Sequence, residues 1–537
     1  MKKLFLSIFY ILVLTFITSS PVVAASEFTT SFNSLYSLGQ TGNSTVTHTI
    51  TIKNNLAHIY ATDYTIATSG EALKNITVAD EHGSLDTDST VQNGITTIHF
   101  SFDTPSIGKD QEKVVTLSYQ TDDVVEIIGN TMTVNIPRLA KANEAESYVR
   151  TVRVEGQSDK PSYIYPPPDR VEQDGPYSSY TFIGHQSDSL TLLFGDSVTY
   201  HLNLTYELKN KELKAGISEL ALPPDTSYQS VILDKIVPPP LNIRTDSDGN
   251  WLASYNLKAQ EKLLVEADLY VTVRPTPTLP DPSLTNFIKT NHSKYWEPNV
   301  QIVEDLSTQL KTPQNFYDYL VTNFTYNFSG LTGNSERKGA VKALTAKANI
   351  LCTEFTDIFI SLARSSNIPA REINGYGYTK NTTLQPQSMT ADLLHAWPEY
   401  YDSDKKTWVS VDPTWGNTTG GIDYFNKLDF SHIAFVRHGV EDSYPLPAGA
   451  YKSSPSDKHI VVEIASHVPE VVSSSETRGK TLVNTGNVAL INDTIGYLPP
   501  YGQFTLPTNQ VRSFYDKIKE ICVKLLSVFY RQPPAST

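Results

Sequence analysis

The residues best suited to covalent chemistry are Cys352, His395 and Asp412. Cys352 opens a segment in which Phe355, Ile358, Phe359 and Leu362 recur at helical spacing. The thiol therefore stands at or just before a helix N-terminus, where unsatisfied N–H groups and the helix dipole favour a thiolate. His395 lies in Leu394-His395-Ala396-Trp397-Pro398-Glu399, and Asp412 lies in Trp408-Val409-Ser410-Val411-Asp412-Pro413. Both segments read as strands joined by the turn Asp402-Ser403-Asp404-Lys405, and antiparallel pairing across that turn brings the imidazole near the carboxylate. The chemistry expected is attack of Cys352 on an amide carbonyl, with His395 moving the proton and Asp412 fixing the imidazole tautomer. The backbone N–H of Cys352 is the natural first oxyanion donor. Tyr326 and Trp397 are candidates for lining the site.

Positioning these residues falls to a segment whose hydrophobic spacing differs from the rest of the chain. At 537 residues, three or four domains are expected. Residues 26–150 alternate in period two, with Val46, His48, Ile50 and Ile52 on one strand face and Thr45, Thr47, Thr49 and Thr51 on the other, which predicts a β-sandwich. Residues 151–274 read as a second β-rich domain. Within them Asp246-Ser247-Asp248-Gly249-Asn250 has its glycine too early for a calcium loop and predicts a hairpin turn instead. A proline-rich linker, residues 275–282, precedes a third domain at 283–445, where helical spacing begins with Phe316 and Leu320, then Ala340, Val341 and Leu344. Residues 446–510 predict a small β segment. Val511, Phe514, Ile518, Ile521, Leu525 and Val528 then form one face of an amphipathic helix at 511–531, which fits a membrane surface, a partner or the protein's own body. Cys522 sits at the edge of that apolar stripe, as a small hydrophobe.

Composition narrows the function classes. With 43 Lys and Arg against 57 Asp and Glu, the formal charge is −14, and no basic block tracks a phosphate backbone, so nucleic acid is not an expected partner. Two cysteines exclude a disulfide-dense scaffold and Cys-rich metal sites. There is no P-loop, no complete dinucleotide-binding glycine motif and no HExxH. His432 and His438 lack a third ligand at suitable spacing, so neither a metal nor a cofactor is expected. Lys2 and Lys3, an apolar run from Leu4 to Ile17, and small residues through Ala25 have the layout of a secretory signal peptide, residues 1–25. A secreted or cell-surface location follows as the expectation.

Four motifs in order, Cys352-Thr353-Glu354-Phe355, Ile368-Pro369-Ala370-Arg371, His395-Ala396-Trp397 and Val411-Asp412-Pro413-Thr414, resemble the transglutaminase-like superfamily of papain-type cysteine enzymes. The resemblance covers roughly the third domain. It implies a papain-like α+β fold there, a Cys-His-Asp triad at Cys352, His395 and Asp412, and an acyl-enzyme route to amide hydrolysis or transamidation of a protein or peptide substrate. One departure is that Ile350 stands where family members commonly have glycine, and a β-branched residue does not readily adopt a glycine-only backbone geometry. The fold expected for the whole chain is multidomain, with β-sandwich domains followed by an α+β papain-like transglutaminase-like domain. Two functions remain open: an exported cysteine enzyme, and a cell-surface binding or structural protein whose transglutaminase-like domain is inactive.

Overall fold

The computed structural model describes residues 26–505 apart from 71–72, 93, 141, 157–159, 186–187, 280, 282–292, 333–335, 347–349, 388–393, 455–456 and 493–494. The expected signal peptide at 1–25 and the expected amphipathic helix at 511–531, with Cys522, lie outside the described residues.

The first β body is a sandwich. The strand Ser44–Asn54 buries Val46, His48, Ile50 and Ile52 on one face, as its period predicts. It pairs antiparallel with Phe28–Leu38 on one side and Glu112–Thr121 on the other, inside a sheet of eight strands among the described residues. Shorter sheets close the core from the opposite side, including Thr131–Ile136 with Leu190–Phe194 and Asp63–Ser69 with Ile95–Ser101. Ser147–Glu155 runs parallel to Phe28–Leu38, with Ser31 opposite Ser147. The boundary expected at residue 150 thus falls inside a strand, and the strands as far as Phe194 share the first core. Alternation is the same on both sides of residue 150. Only long-range pairing assigns a strand to its sheet.

A second β body follows. Val198–Lys209 pairs with Lys262–Val273 and also with Ile460–Ile464, a strand that sequence spacing placed in the C-terminal β segment. Gly216–Leu222, Trp251–Leu257 and Asn242–Thr245 form a facing sheet. The predicted hairpin turn forms, with the Asp246 carboxylate accepting the backbone N–H groups of Asp248 and Asn250, each at 2.9 Å. The core between the sheets also takes in Phe430, Ile433 and Phe435 from the third domain. The described residues of the expected linker make packed contacts. The Thr278 N–H donates to Ser227 O at 2.9 Å, and Asp281 forms ion pairs with Arg371 at 2.9 Å and Arg437 at 3.0 Å.

The third domain is α+β. Its sheet runs in the order Thr407–Ser410, His395–Asp402, Ala370–Gly377, His432–His438, with every neighbour antiparallel. The helices Gln301–Leu310, Pro313–Asn323, Ala340–Ala346 and Cys352–Ser365 gather Phe316, Leu320, Ala340, Leu344, Phe355, Ile358, Phe359 and Leu362 into one core. Beyond it, Ser475–Arg478, Thr481–Asn484 and Gln503–Thr505 make a small sheet beside the hairpin of Leu490–Asn492 and Gly496–Leu498. The chain is multidomain, with β-sandwich bodies followed by an α+β domain. Among the described residues no helix is long and apolar enough to cross a membrane.

Candidate active site

Cys352 is the first residue of the helix Cys352–Ser365, which Leu351 enters in extended conformation. First-turn N–H groups have no partner one turn back. Glu354 ties this end down, its carboxylate accepting from the backbone N–H groups of Leu351 and Lys338, each at 2.9 Å. Farther along, Asp357 is buried against Arg337 and accepts from Trp296 Nε1 at 3.0 Å. The same Arg337 reaches Glu372 on the central strand at 3.1 Å, so a buried cation joins the helix to the sheet.

Ile350 is fully buried and forms a parallel bridge with Tyr326, its N–H donating to Thr325 O and its carbonyl accepting from Asn327 N–H. A β-branched side chain suits the extended backbone of such a bridge.

His395 begins the strand His395–Asp402, and its Nε2 lies 2.8 Å from Asp412 Oδ2. Its Nδ1 is buried with no hydrogen-bond partner among the described residues, and the Cys352 thiol also acts on the ring. Both side chains are nearly sealed, with Cys352 2% and His395 1% exposed. The imidazole stacks on Trp415, at 4.9 Å and 16°, and on Trp397, at 5.7 Å and 29°. Gly377 leaves room for this arrangement, since a Cβ there would lie 2.7 Å from the Trp415 ring. Burial opposes charge on His395, yet Asp412 by charge and hydrogen bond, joined by Cys352, lifts the imidazole to about 9.

Asp412 is the N-cap of the short helix Pro413–Thr418, its Oδ1 accepting from the N–H groups of Thr414 at 2.9 Å and Trp415 at 3.1 Å. Its Oδ2 accepts from His395 and also from His432 Nε2 at 3.2 Å. Burial would raise the carboxyl's pKa, but the two imidazoles hold it well below the usual carboxylate range. The cap explains why an aspartate followed by proline ends the strand at this point: one side chain starts a helix and faces the histidine together.

Sequence spacing brought His395 and Asp412 together across a turn. It did not bring in His432, which was weighed only as a metal ligand, nor Asp429, whose Oδ1 lies 2.7 Å from His432 Nδ1. The signal available was an acid three residues before a histidine in an apolar strand, where a buried imidazole needs partners for both nitrogens. Ligand atoms of His395, Asp412 and His432 lie within 4.8 Å of one another, a set that spacing did not reveal, and the facing atoms are already joined by hydrogen bonds. His438 stands apart, against Glu372 at 3.0 Å and Pro445 O at 2.7 Å.

Tyr326 is 3% exposed, and its ring stacks on Phe355, which lies one helical turn from Cys352. Its hydroxyl has no hydrogen-bond partner among the described residues, and neither has the Trp397 indole N–H. Burial, with the nearby Cys352 and Asp412, pushes the phenol far above its ordinary value. A cavity of about 500 Å³ opens between the sandwich and the third domain, lined by Glu126, Asn135, Lys380, Gln385 and Tyr424 among others.

No curated protein matches the sequence. Among solved structures, a candidate cysteine protease from Cytophaga hutchinsonii is 17% identical, with 50% of this chain and 86% of that chain covered at a TM-score of 0.30. The periplasmic domain of TgpA from Pseudomonas aeruginosa is 16% identical, with 42% and 97% covered at a TM-score of 0.23. A candidate protease from Parabacteroides distasonis is 9% identical, with 76% and 73% covered at a TM-score of 0.24. The likeness to a family rests on the sequence: residues 299–413, which contain Cys352, His395 and Asp412, match the model of the transglutaminase-like superfamily.

Proposed function

We propose that the chain is an exported cysteine enzyme that acts on protein or peptide amides through an acyl-enzyme. The observation that carries this reading is the 2.8 Å contact between His395 Nε2 and Asp412 Oδ2, with the Cys352 thiol acting on the same imidazole. His395 Nδ1 takes the Cys352 proton to form an ion pair, and the thiolate sulfur then bonds to the amide carbon, giving a tetrahedral oxyanion. Collapse breaks the C–N bond, the leaving amine takes the proton from His395, and a thioester remains on Cys352. Water or a second amine then attacks the thioester, His395 receives its proton, and the thiol is regenerated with release of acid or new amide. Asp412 keeps Nε2–H pointed at itself, which leaves Nδ1 for the sulfur. The N–H of Cys352, at the helix N-terminus, is placed to donate to the oxyanion. Export is part of the proposal and rests on the signal-peptide layout of residues 1–25.

The test is mass spectrometry of the full chain after exposure to an activated peptide ester, with an amine acceptor present or absent. Wild type is expected to carry the acyl group on Cys352 and to pass it on, whereas Cys352→Ala carries none. Release of acid alone marks a hydrolase, and capture of the amine marks an acyltransferase. A competing reading, an inactive domain in a surface binding or structural protein, draws on the 2% exposure of Cys352. It requires a thiol inert to ester and alkylating agent alike.

A further inference from the structure

The carboxylate of Asp412 is shared. Its Oδ1 is taken by two backbone N–H groups and its Oδ2 by two imidazoles, His395 at 2.8 Å and His432 at 3.2 Å, so its acceptor capacity is filled. His432 is itself held at both ends, with Nε2 toward Asp412 and Nδ1 2.7 Å from Asp429 Oδ1. An ionised carboxylate only accepts, so an imidazole bonded to two of them must carry a proton on each nitrogen. His432 is therefore an imidazolium, 3% exposed, with its ring centroid 5.8 Å from that of His395.

We propose that His432 is a positioning residue for acyl transfer, a fixed cation that shares Asp412 with His395 and keeps the catalytic imidazole able to release its proton. The inference rests on the cysteine-enzyme reading and extends it to a residue outside the triad. A buried imidazole beside an undivided carboxylate would hold its proton too firmly to pass it to a leaving amine, because a general acid works best with a pKa near the operating pH. A second cation on the same oxygen divides the carboxylate's field and repels charge on His395. The groups facing His432 are Asp412 and His395 on the catalytic side, Asp429 before its own strand, and the rings of Trp397, Trp415 and Tyr424. Glu126 of the first β body also acts on it, while Lys427 lies close to Asp429 and Glu126. Burial and Asp429 push the Glu126 carboxyl up to about 8, so near neutral pH it adds little charge, and Asp429 remains the counter-ion to His432.

The experiment is the pH dependence of Cys352 alkylation by iodoacetamide in the full chain, read in wild type, His432→Gln and Asp429→Asn. Glutamine retains a neutral donor for Asp412. Asparagine leaves the ring in place and removes the anion that keeps it charged. In both variants the upper limb of the profile, where His395 loses its proton beside the thiolate, is expected to move up by about one pH unit, and kcat for an activated ester at neutral pH to fall about tenfold with KM little changed. A merely structural role would lower the alkylation rate or the melting temperature without moving that limb. An upper limb unmoved in both variants overturns the inference, and if His432→Gln fails to fold, Asp429→Asn carries the test alone. A wild-type thiol that alkylates like a free cysteine at every pH overturns the enzyme reading as well, so the two failures are distinguishable.

Discussion

His395 lies flat against the indole of Trp415, with centroids 4.9 Å apart and planes 16° from parallel. The ring can slide little and cannot flip without displacing the indole, whose N–H is bonded to Pro386 O at 3.2 Å. Orientation of the imidazole is thus set by packing as well as by Asp412. Trp415→Ala should cost about 3–5 kcal/mol of stability, the range for an aromatic truncated in a core. Trp415→Phe should retain the stacking and most of the stability. Thermal unfolding of the two variants, alongside Cys352 alkylation, separates the platform from the core.

Asp412 combines a helix cap with a counter-ion to His395. Asp412→Asn preserves a cap oxygen but removes the charge and presents either a donor or a neutral oxygen to Nε2. The imidazole should fall from about 9 toward its ordinary value, and acyl transfer should drop about 10²–10⁴-fold. The checks are kcat/KM for an activated ester and the pH profile of alkylation. An Asp412→Asn variant as active as wild type would remove Asp412 from the reaction.

Tyr326 offers a buried hydroxyl with no partner among the described residues, beside the helix that Cys352 opens. Tyr326→Phe should leave stability unchanged or slightly raised, since the lost group satisfies nothing in the resting protein. If the hydroxyl donates to the oxyanion, acylation should slow by about 10²-fold while iodoacetamide alkylation, which forms no oxyanion, is untouched. Equal loss in both reactions would point to altered packing around Cys352.

Stability should depend on pH through the two imidazoles. His395 and His432 are both raised to about 9 in the folded chain, above the ~6.5 of an unfolded histidine. The folded state therefore holds protons that the unfolded state releases, and the stabilisation is complete below pH ~6.5 and lost as pH rises through about 9. Denaturant midpoints should fall across that window, and His432→Gln should flatten the slope.

Arg371 has its guanidinium fully buried between Glu399 at 2.7 Å and Asp281 at 2.9 Å, stacked over Trp408. It ties the segment before the third domain to the centre of that domain's sheet. Arg371→Met leaves Glu399 buried without its cation, while Asp281 keeps Arg437, and should cost about 3–5 kcal/mol. Arg371→Met with Glu399→Gln should recover part of that loss. Recovery in the double variant, followed by thermal denaturation, distinguishes an unpaired-charge penalty from lost packing.

Much of the site was legible in local sequence. Helical spacing from Cys352 onward put the thiol at a helix start, and two segments joined by a four-residue turn put His395 near Asp412, which caps a helix just past the second strand. These are short-range consequences of period and turn chemistry. Period two likewise marked the β bodies, because burial on alternate sides needs no knowledge of the partner strand. The partner strand is what spacing leaves out. Ser147–Glu155 joined the first sheet across a boundary expected at 150, and Ile460–Ile464 joined a strand far earlier in the chain, because strand pairing depends on which edges meet after collapse. His432 entered the site the same way. Its strand pairs with Ala370–Gly377, and that long-range ladder delivers a second imidazole to Asp412. Residue types and local period determined which groups could react, and the tertiary structure decided which carboxylate each imidazole shares, since hydrogen bonds between distant segments exist only once the sheet has closed.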